Sequence, residues 1–332
     1  MEKKNPVWIK NLLLIFLLTA LFVGSLLLGR YPEPGFINIH NIRTDPIAWN
    51  IILNLRLPRI ITAVILGSTL ALTGLVFQTI LGNPLVEAGF LGISQGAAFG
   101  AALMIILNIK IPIAITLSAA LFSLTALGLT WFLARAIRFG GWIIRLILAG
   151  IIISAMFSSG LGILKYLADP RSQLQEITFW MMGGLSGIGW TELKYLIPFT
   201  VPSLFLIFIL RWRLNLLSMG DRTAHSLGIS PVLEKNFFLL IAVLATASVV
   251  SYCGIIGWIG LIIPHIARRI SGSDTSKSVP TALLTGGIFA LICDDAARTI
   301  STGEIPLGIL TSLSGALIFT LLMVFSPIQK HI

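Results

Sequence analysis

The sequence predicts an all-α membrane protein of about ten transmembrane helices, and three observations carry that prediction. Hydrophobic residues make up 56% of the chain and charged ones only 11%, against roughly 45–50% and about 25% in soluble domains. Uncharged runs recur along the chain at lengths near the ~20 residues that a helix needs to cross a hydrocarbon core. The apolar stretch from Arg56 to Leu103 is broken by Asn83-Pro84-Leu85 and carries Gly, Gln and Ser. Irregular backbone at membrane depth survives only where protein or a water-filled cavity covers it, so the break points to a pathway rather than an anchor.

In order, the candidate spans are Asn11–Gly29, Ile60–Leu81, Leu91–Ile109, Ile111–Ala134, Leu146–Leu164, Tyr195–Leu210, Val232–Tyr252, Ile255–Ala267, Val279–Cys293 and Ile305–Phe325. The first follows the basic segment Met1–Lys10 and resembles a signal peptide. Its apolar part exceeds the usual h-region of about 7–15 residues and no A-x-A site follows, so it reads as a retained span. The stretch Asn236–Ala267 is uncharged, too long for one helix and short for two. Gly254, Gly257, Gly260 and Pro264 predict a turn there and then a short or broken span.

Lys and Arg sort unequally between alternate sides. With a cytoplasmic N-terminus, the inner side collects Lys3, Lys4, Lys10, Arg135, Arg138, Arg145, Arg211, Arg213, Arg222, Lys235, Arg268, Arg269, Lys277 and Lys330, 14 of the 23. The positive-inside rule then puts both termini in the cytoplasm. Subtracting Glu2, Glu87, Asp221, Glu234 and Asp274 leaves that side nine positive charges in excess, so the net charge of +10 needs no nucleic acid.

Three soluble pieces join the spans: an outer segment Arg30–Arg59 with the run RLPR, an outer loop Ala168–Trp190, and an inner basic loop Arg211–Lys235. Leu217, Ala224 and Leu227 make the inner loop apolar enough for two short helices jointed at glycine, a shape that docks another protein. Cys253 and Cys293 lie in apolar surroundings without CxxC or Cys/His spacing and read as packing residues. His265 after Pro264 reads as a hydrogen-bonding packing element. Asp294 and Asp295 near Arg298 read as an ion pair or helix-end feature at an outer end. Trp180, Met181 and Met182 fit an amphipathic outer helix. The scarcity of charge in the spans favours a bulky metal chelate over a bare divalent cation, which would meet carboxylates or imidazoles along its route.

The runs RLPR (Arg56–Arg59), LTGLVFQTILGNPLVEAGFLGISQGAAFGA (Leu72–Ala101), LAG (Leu148–Gly150), NLLSMGDRTAHSLGI (Asn215–Ile229), GIIGWIGLIIPHIARRISGSD (Gly254–Asp274) and EIPLGILTSLSGALIF (Glu304–Phe319) occur in one order over nearly the whole chain. Together they resemble the permease subunits of ABC importers for iron–siderophore complexes, haem and cobalamin. The resemblance implies a type II importer fold with ten helices per subunit and inverted repeats, one transmembrane domain over residues 1–332 with a coupling loop at 211–235. It also implies a bacterial cytoplasmic-membrane location, a second permease copy or paralogue, partner ABC ATPase subunits and an extracytoplasmic substrate-binding protein. The chain has no Gly-Lys pair and so no G-x-x-x-x-G-K-[ST]. It binds no cofactor itself and is a transport subunit rather than an enzyme; ATP is consumed by the partner.

Position by position, Gly220, Asp221, Ala224, Leu227 and Gly228 match the family's ATPase-coupling segment. Arg56, Arg59 and Arg298 match outer arginines that dock the binding protein. Asn83, Pro84 and Leu85 match the inner gate, whose other side is here Ile143 and Ile144 where the family often has small polar residues. Two other classes stay open at this level: an ion-gradient-driven secondary transporter, and an ABC permease for free metal ions.

Overall fold

The computed structural model describes residues 6–31, 33–37, 45–109 and 111–325. Among these residues the chain forms thirteen helices. Eight are long and apolar enough to cross a membrane: α1 (Val7–Leu27), α2 (Pro46–Leu81), α4 (Pro112–Ala136), α5 (Trp142–Leu167), α7 (Trp190–Ile209), α10 (Pro231–Cys253), α12 (Thr275–Thr299) and α13 (Leu307–Val324). Two shorter spans are α3 (Ile93–Ile106) and α11 (Ile259–Ser271). The short α8 (Arg211–Ser218) and α9 (Asp221–Ser226) at one end of the bundle, called the inner end below, and α6 (Gln173–Met182) at the opposite, outer end complete the set. Each of the ten expected spans therefore has its helix. Lys3, Lys4, Lys330 and Glu2 lie outside the described residues.

Several boundaries differ from the expectation, that of the second span most. The second span begins at Pro46 rather than Ile60, with Asp45 capping it by accepting the Ile47 N–H at 2.9 Å. The helix loosens into π geometry over Ile51–Arg56 on the way in. Pro58 explains this, since it offers no N–H to the carbonyl one turn back and its ring crowds that carbonyl.

Helix α2 is the axis of the molecule. Its most apolar stretch is 78% buried, whereas that of α1 is wholly at the rim. In hydrocarbon the gain from association comes from close packing, which small residues permit. A Cβ on Gly67 would fall 2.1 Å from the Gly286 carbonyl of α12, and one on Gly74 would fall 2.0 Å from the Gly260 carbonyl of α11. Two backbones thus lie directly against one face of α2. Around it an inner core gathers Phe77, Ile80, Leu214, Phe238 and Val279, and an outer core gathers Ile60, Leu66, Val249, Ile259 and Leu291. The exposed Leu117, Phe132, Ile163 and Phe205 face outward, as lipid or a second membrane subunit requires.

The two halves repeat one another with opposite direction. Helix α2 runs inward from Arg56 to Leu81, the chain turns back through residues 82–92, and α3 returns outward. Helix α10 runs outward from Pro231 to Cys253, residues 254–258 re-enter, and α11 goes inward. Each re-entrant segment ends in the same pattern: Gly89-Phe90-Leu91-Gly92-Ile93 before α3, and Gly257-Trp258-Ile259-Gly260-Leu261 across the start of α11. Broken spans meeting at mid-depth are how transporters place irregular backbone inside a membrane.

Substituting Gly286→Val should force α12 off α2 and destabilise the subunit by about 1–3 kcal/mol, the usual cost of overpacking. Thermal unfolding in detergent, followed by tryptophan fluorescence, measures it; Gly128→Val, where a Cβ meets nothing within 4 Å, should leave the midpoint unchanged.

Candidate functional site

At the inner end, α8 and α9 project from the bundle on a joint at Gly220, whose φ of +92° suits a residue without a Cβ. Helix α8 hangs from the start of α12. Asn215 donates its amide to Asp274 Oδ1 at 2.6 Å and accepts the Thr275 N–H at 2.8 Å, Thr275 Oγ1 donates to the Arg211 carbonyl at 2.7 Å, and Arg211 Nε donates to the Ser276 carbonyl at 3.0 Å. Asp274 also caps α12 through the Ser276 N–H, and the Asn215 amide, foremost, holds its carboxyl below the usual carboxylate range. Helix α9 is tied to α10 by Asp221 and Lys235 at 2.5 Å. Of the residues expected to couple, Gly220, Asp221, Leu227 and Gly228 are exposed, with Leu227 at 53%. Ala224 is fully buried and faces the chain itself, so it seats α9 instead of touching a partner; Met219, 60% exposed, adds to the outward apolar face.

The loop after α2 is built by short-range bonding. Asn83 Oδ1 accepts the Leu85 N–H at 2.9 Å, the Asn83 N–H reaches the Gln78 carbonyl at 3.2 Å, and Leu85 is exposed. The Pro84 carbonyl faces His265 Nε2 at 2.9 Å. His265 therefore bonds backbone, as its solitary place in the sequence suggested. Arg268 bonds the Gln78 carboxamide, whose nitrogen donates to the Leu261 carbonyl at 3.1 Å. An inner cavity of about 530 Å³ opens among Gln78, Pro84, Asn215, Met219, His265 and Arg268. Ile143 is partly buried against the inner core and Ile144 is exposed.

At the outer end, Arg59 grips Asp294 with Nε and Nη2 at 3.0 and 2.9 Å and reaches Glu304 with Nη1 at 2.7 Å. Arg298 pairs with Asp295 and donates to the carbonyls of Leu28 and Ser25 at 2.7 and 2.6 Å. Arg56 donates to the Leu26 carbonyl at 2.9 Å and lies across Gly29, where a Cβ would meet Nη2 at 2.1 Å. Only 7% of Arg56 and 8% of Arg298 are exposed. The expectation of outward-pointing docking arginines is thus corrected for these two: in this conformation their guanidinium groups serve the chain, joining the end of α1 to α2 and α12. All three arginines, with Arg30, Tyr31 and Glu304, still wall an outer cavity of about 380 Å³. A neighbouring cavity of about 540 Å³ shares Arg59 and Glu304 and adds Glu176, Phe179, Trp180 and Tyr252.

Sequence reasoning passed over Gln78, Arg268 and the Asn215–Asp274 clamp, because their partners lie far away in the chain. It also assigned Glu87 to the inner surface. The structure sets its carboxylate beside Gly257 and Gly260, level with Leu70 and Gly74 in the second half of α2.

Residues 12–325 match the FecCD transport family. The chain belongs to that family. A molybdate import system permease protein of Haemophilus influenzae is 36% identical over 326 residues, covering 96% of this chain and 95% of that one. An iron chelatin transport system permease protein of Helicobacter pylori is 41% identical over 276 residues, 82% of each. A solved inward-facing ABC transporter of metal-chelate type superposes with a TM-score of 0.87 at 34% identity, covering 95% of this chain and 98% of that one. This FecCD protein therefore has the type II ABC importer permease fold and is a membrane transport subunit, not an enzyme. The arrangement at its ends fits a transport subunit: two short protruding helices flanked by the exposed Met219 and Leu227 at the inner end, and a charged, cavity-bearing rim at the outer end.

Removing one partner of a buried ion pair strands the other, at about 3–5 kcal/mol, whereas replacing both by apolar residues is often close to neutral. Asp294→Asn should accordingly lower the thermal midpoint sharply, and the double variant Arg59→Met/Asp294→Leu should recover most of it.

Proposed function

We propose that this permease is the membrane half of an ATP-driven importer carrying a metal chelate, an iron(III)–siderophore in the first instance and haem or cobalamin as close alternatives, from an extracytoplasmic binding protein into the cytoplasm. The observation that carries the reading is the clamp of α8 onto α12 beneath the exposed pair Met219 and Leu227. A short helix seated in a partner's groove transmits rigid-body motion by packing, and here that motion passes through Asn215 and Thr275 into a span reaching the outer rim. In this reading Gly220, Asp221, Leu227 and Gly228 face the ATPase, the 82–92 loop with Asn83, Pro84 and Leu85 forms the inner gate, and the arginine-walled outer cavity receives an acidic group of the binding protein. Arg59, its fork held by Asp294 and Glu304, is then the docking contact. Both termini lie in the cytoplasm by the charge bias, the membrane is the bacterial cytoplasmic one, and a second permease copy or paralogue completes the pathway.

The chelate reading is supported by cavity size, since about 540 Å³ falls in the range of sites for organic ligands rather than bare ions. The relationship to the Haemophilus molybdate permease favours a second reading, an oxyanion cargo, which the arginine-rich rim also suits.

Proteoliposomes holding the permease, its ATPase and its binding protein test this. Radiolabelled ferric chelate should accumulate only with ATP on the ATPase side; competition by molybdate selects the second reading, and uptake driven by a proton or sodium gradient without ATP refutes both. Leu227→Glu should lower the uptake about tenfold, the loss of one interface anchor, with the subunit still inserted.

A further inference from the structure

Four pieces of the chain meet around the inner cavity of about 530 Å³: the end of α2 with its loop (Gln78, Pro84), α8 (Asn215), α11 (His265, Arg268) and the first turns of α12 (Ser278). Its volume falls within the roughly 300–1,000 Å³ of small-molecule sites. The reading above leaves this cavity unused.

Two groups on its wall lack the partners that such groups normally have. Arg268 is half-buried, and among the described residues no carboxylate pairs with it; the neutral Gln78 carboxamide takes one of the five N–H donors of its fork. The second group is the Ser278 hydroxyl. Only 1% of Ser278 is exposed, and its Oγ is buried with no hydrogen-bond partner. A hydroxyl buried unpaired forfeits its hydration, so such groups are rare and call for an explanation. Other hydroxyls of the same wall are satisfied: Thr79 Oγ1 donates to the Leu75 carbonyl at 2.8 Å, Ser218 Oγ to that of Asn215 at 2.7 Å and Thr275 Oγ1 to that of Arg211 at 2.7 Å.

Charge decides the class of ligand. Asp274, the carboxylate on this wall, accepts the Asn215 amide and the Ser276 N–H and faces Lys277 Nζ at 3.7 Å. Its charge is thereby matched, while the Arg268 guanidinium keeps its own unmatched and repels cations. A planar fork of N–H donors with a hydroxyl nearby suits the oxygens of a tetrahedral anion. The start of α12 adds the positive end of a helix dipole.

We propose that this cavity binds a tetrahedral oxyanion, free or carried on a small organic phosphate, through the Arg268 guanidinium and the Ser278 hydroxyl. A ligand there touches α8, the loop after α2, α11 and α12 together. These are the pieces that carry motion from the exposed inner helix pair to the gate, so a bound anion ties them to one another and slows transport from the cytoplasmic side. The slowing rests on the permease reading; the binding site does not.

Thermal unfolding of the full chain in nanodiscs tests the site, with inorganic phosphate or glycerol 3-phosphate against sodium chloride at equal ionic strength. Phosphate should raise the parent midpoint by a few degrees at saturation, as a ligand of the folded state does. Ser278→Ala deletes an unpaired group and strands no other, so it should unfold as the parent does in chloride and need about tenfold more phosphate for the same shift, the loss of one charge-assisted bond. Arg268→Gln should abolish the shift; if that variant does not fold, Ser278→Ala decides alone. Greater potency of glycerol 3-phosphate identifies an organic phosphate and equal potency the free ion, and either supports the site. No shift in the parent overturns it, and so does a shift that either variant keeps at the parental concentration, which sends the ion to the arginines of the outer rim. In proteoliposomes with the ATPase and binding protein, phosphate on the ATPase side should at least halve the uptake rate of a radiolabelled iron(III) trihydroxamate chelate, and Ser278→Ala should raise the half-inhibiting concentration about tenfold. No inhibition, or inhibition equally sensitive in Ser278→Ala as product inhibition of the ATPase would be, overturns the slowing. A parent without ATP-driven uptake counts against the permease reading, and the thermal shift then still decides the site.

Discussion

The close approach of α2 to α12 at Gly67 and Gly286 is the contact on which the rest of the molecule depends. In a hydrocarbon solvent apolar side chains gain little by leaving lipid for one another, so helices associate through dense packing and polar contacts. A carbonyl that would stand 2.1 Å from any Cβ at Gly67 leaves no substitute for glycine. With Gly74 meeting Gly260 two turns further along the same face, α2 receives α12 and α11 on bare backbone. The glycines thus set how near two other spans stand to the central one.

That spacing brings the polar groups into reach. At the outer rim, Arg59 on α2 and Asp294 on α12 form a two-pronged pair only because the helices below them are in contact. Fork geometry suits arginine here, and a lysine would offer one point charge in place of two parallel bonds. At the inner rim the same helix α12 starts at the Asn215–Asp274–Thr275 knot that holds α8. One span therefore carries the exposed inner helix pair at one end and the arginine network at the other. The geometry makes α12 a stiff member between the two surfaces where a transport subunit meets its partners.

The breaks in the spans solve a separate problem. Backbone groups left unpaired where the spans break need partners from elsewhere in the chain. The structure satisfies them with distant side chains: His265 faces the Pro84 carbonyl and Gln78 takes the Leu261 carbonyl. Each acceptor belongs to one repeat and each side chain to the other. Irregular backbone in one half is thereby made tolerable by the opposite half, which ties the two repeats together where they are least regular.

Composition and the spacing of uncharged runs determined the class of the protein, the ten spans and the broken character of two of them, because hydrophobic length and prolines or glycines at a break are local properties of the chain. The inner loop was also legible: Gly220 and Gly228 bracket a segment that forms α9, the short helix that its apolar residues predicted. Tertiary structure alone decided where charges and small residues find their partners. Arg56 and Arg298 read as outer docking groups, yet their bonds run to Leu26, Leu28 and Ser25, some 30 and 270 positions away. Ala224 turned inward for the same kind of reason, and Glu87, counted at a surface, lies against Gly257 and Gly260 of the other repeat. A sequence shows which groups a membrane must shelter; only the packed chain shows which other groups shelter them, since the partners are neighbours in space and strangers along the chain.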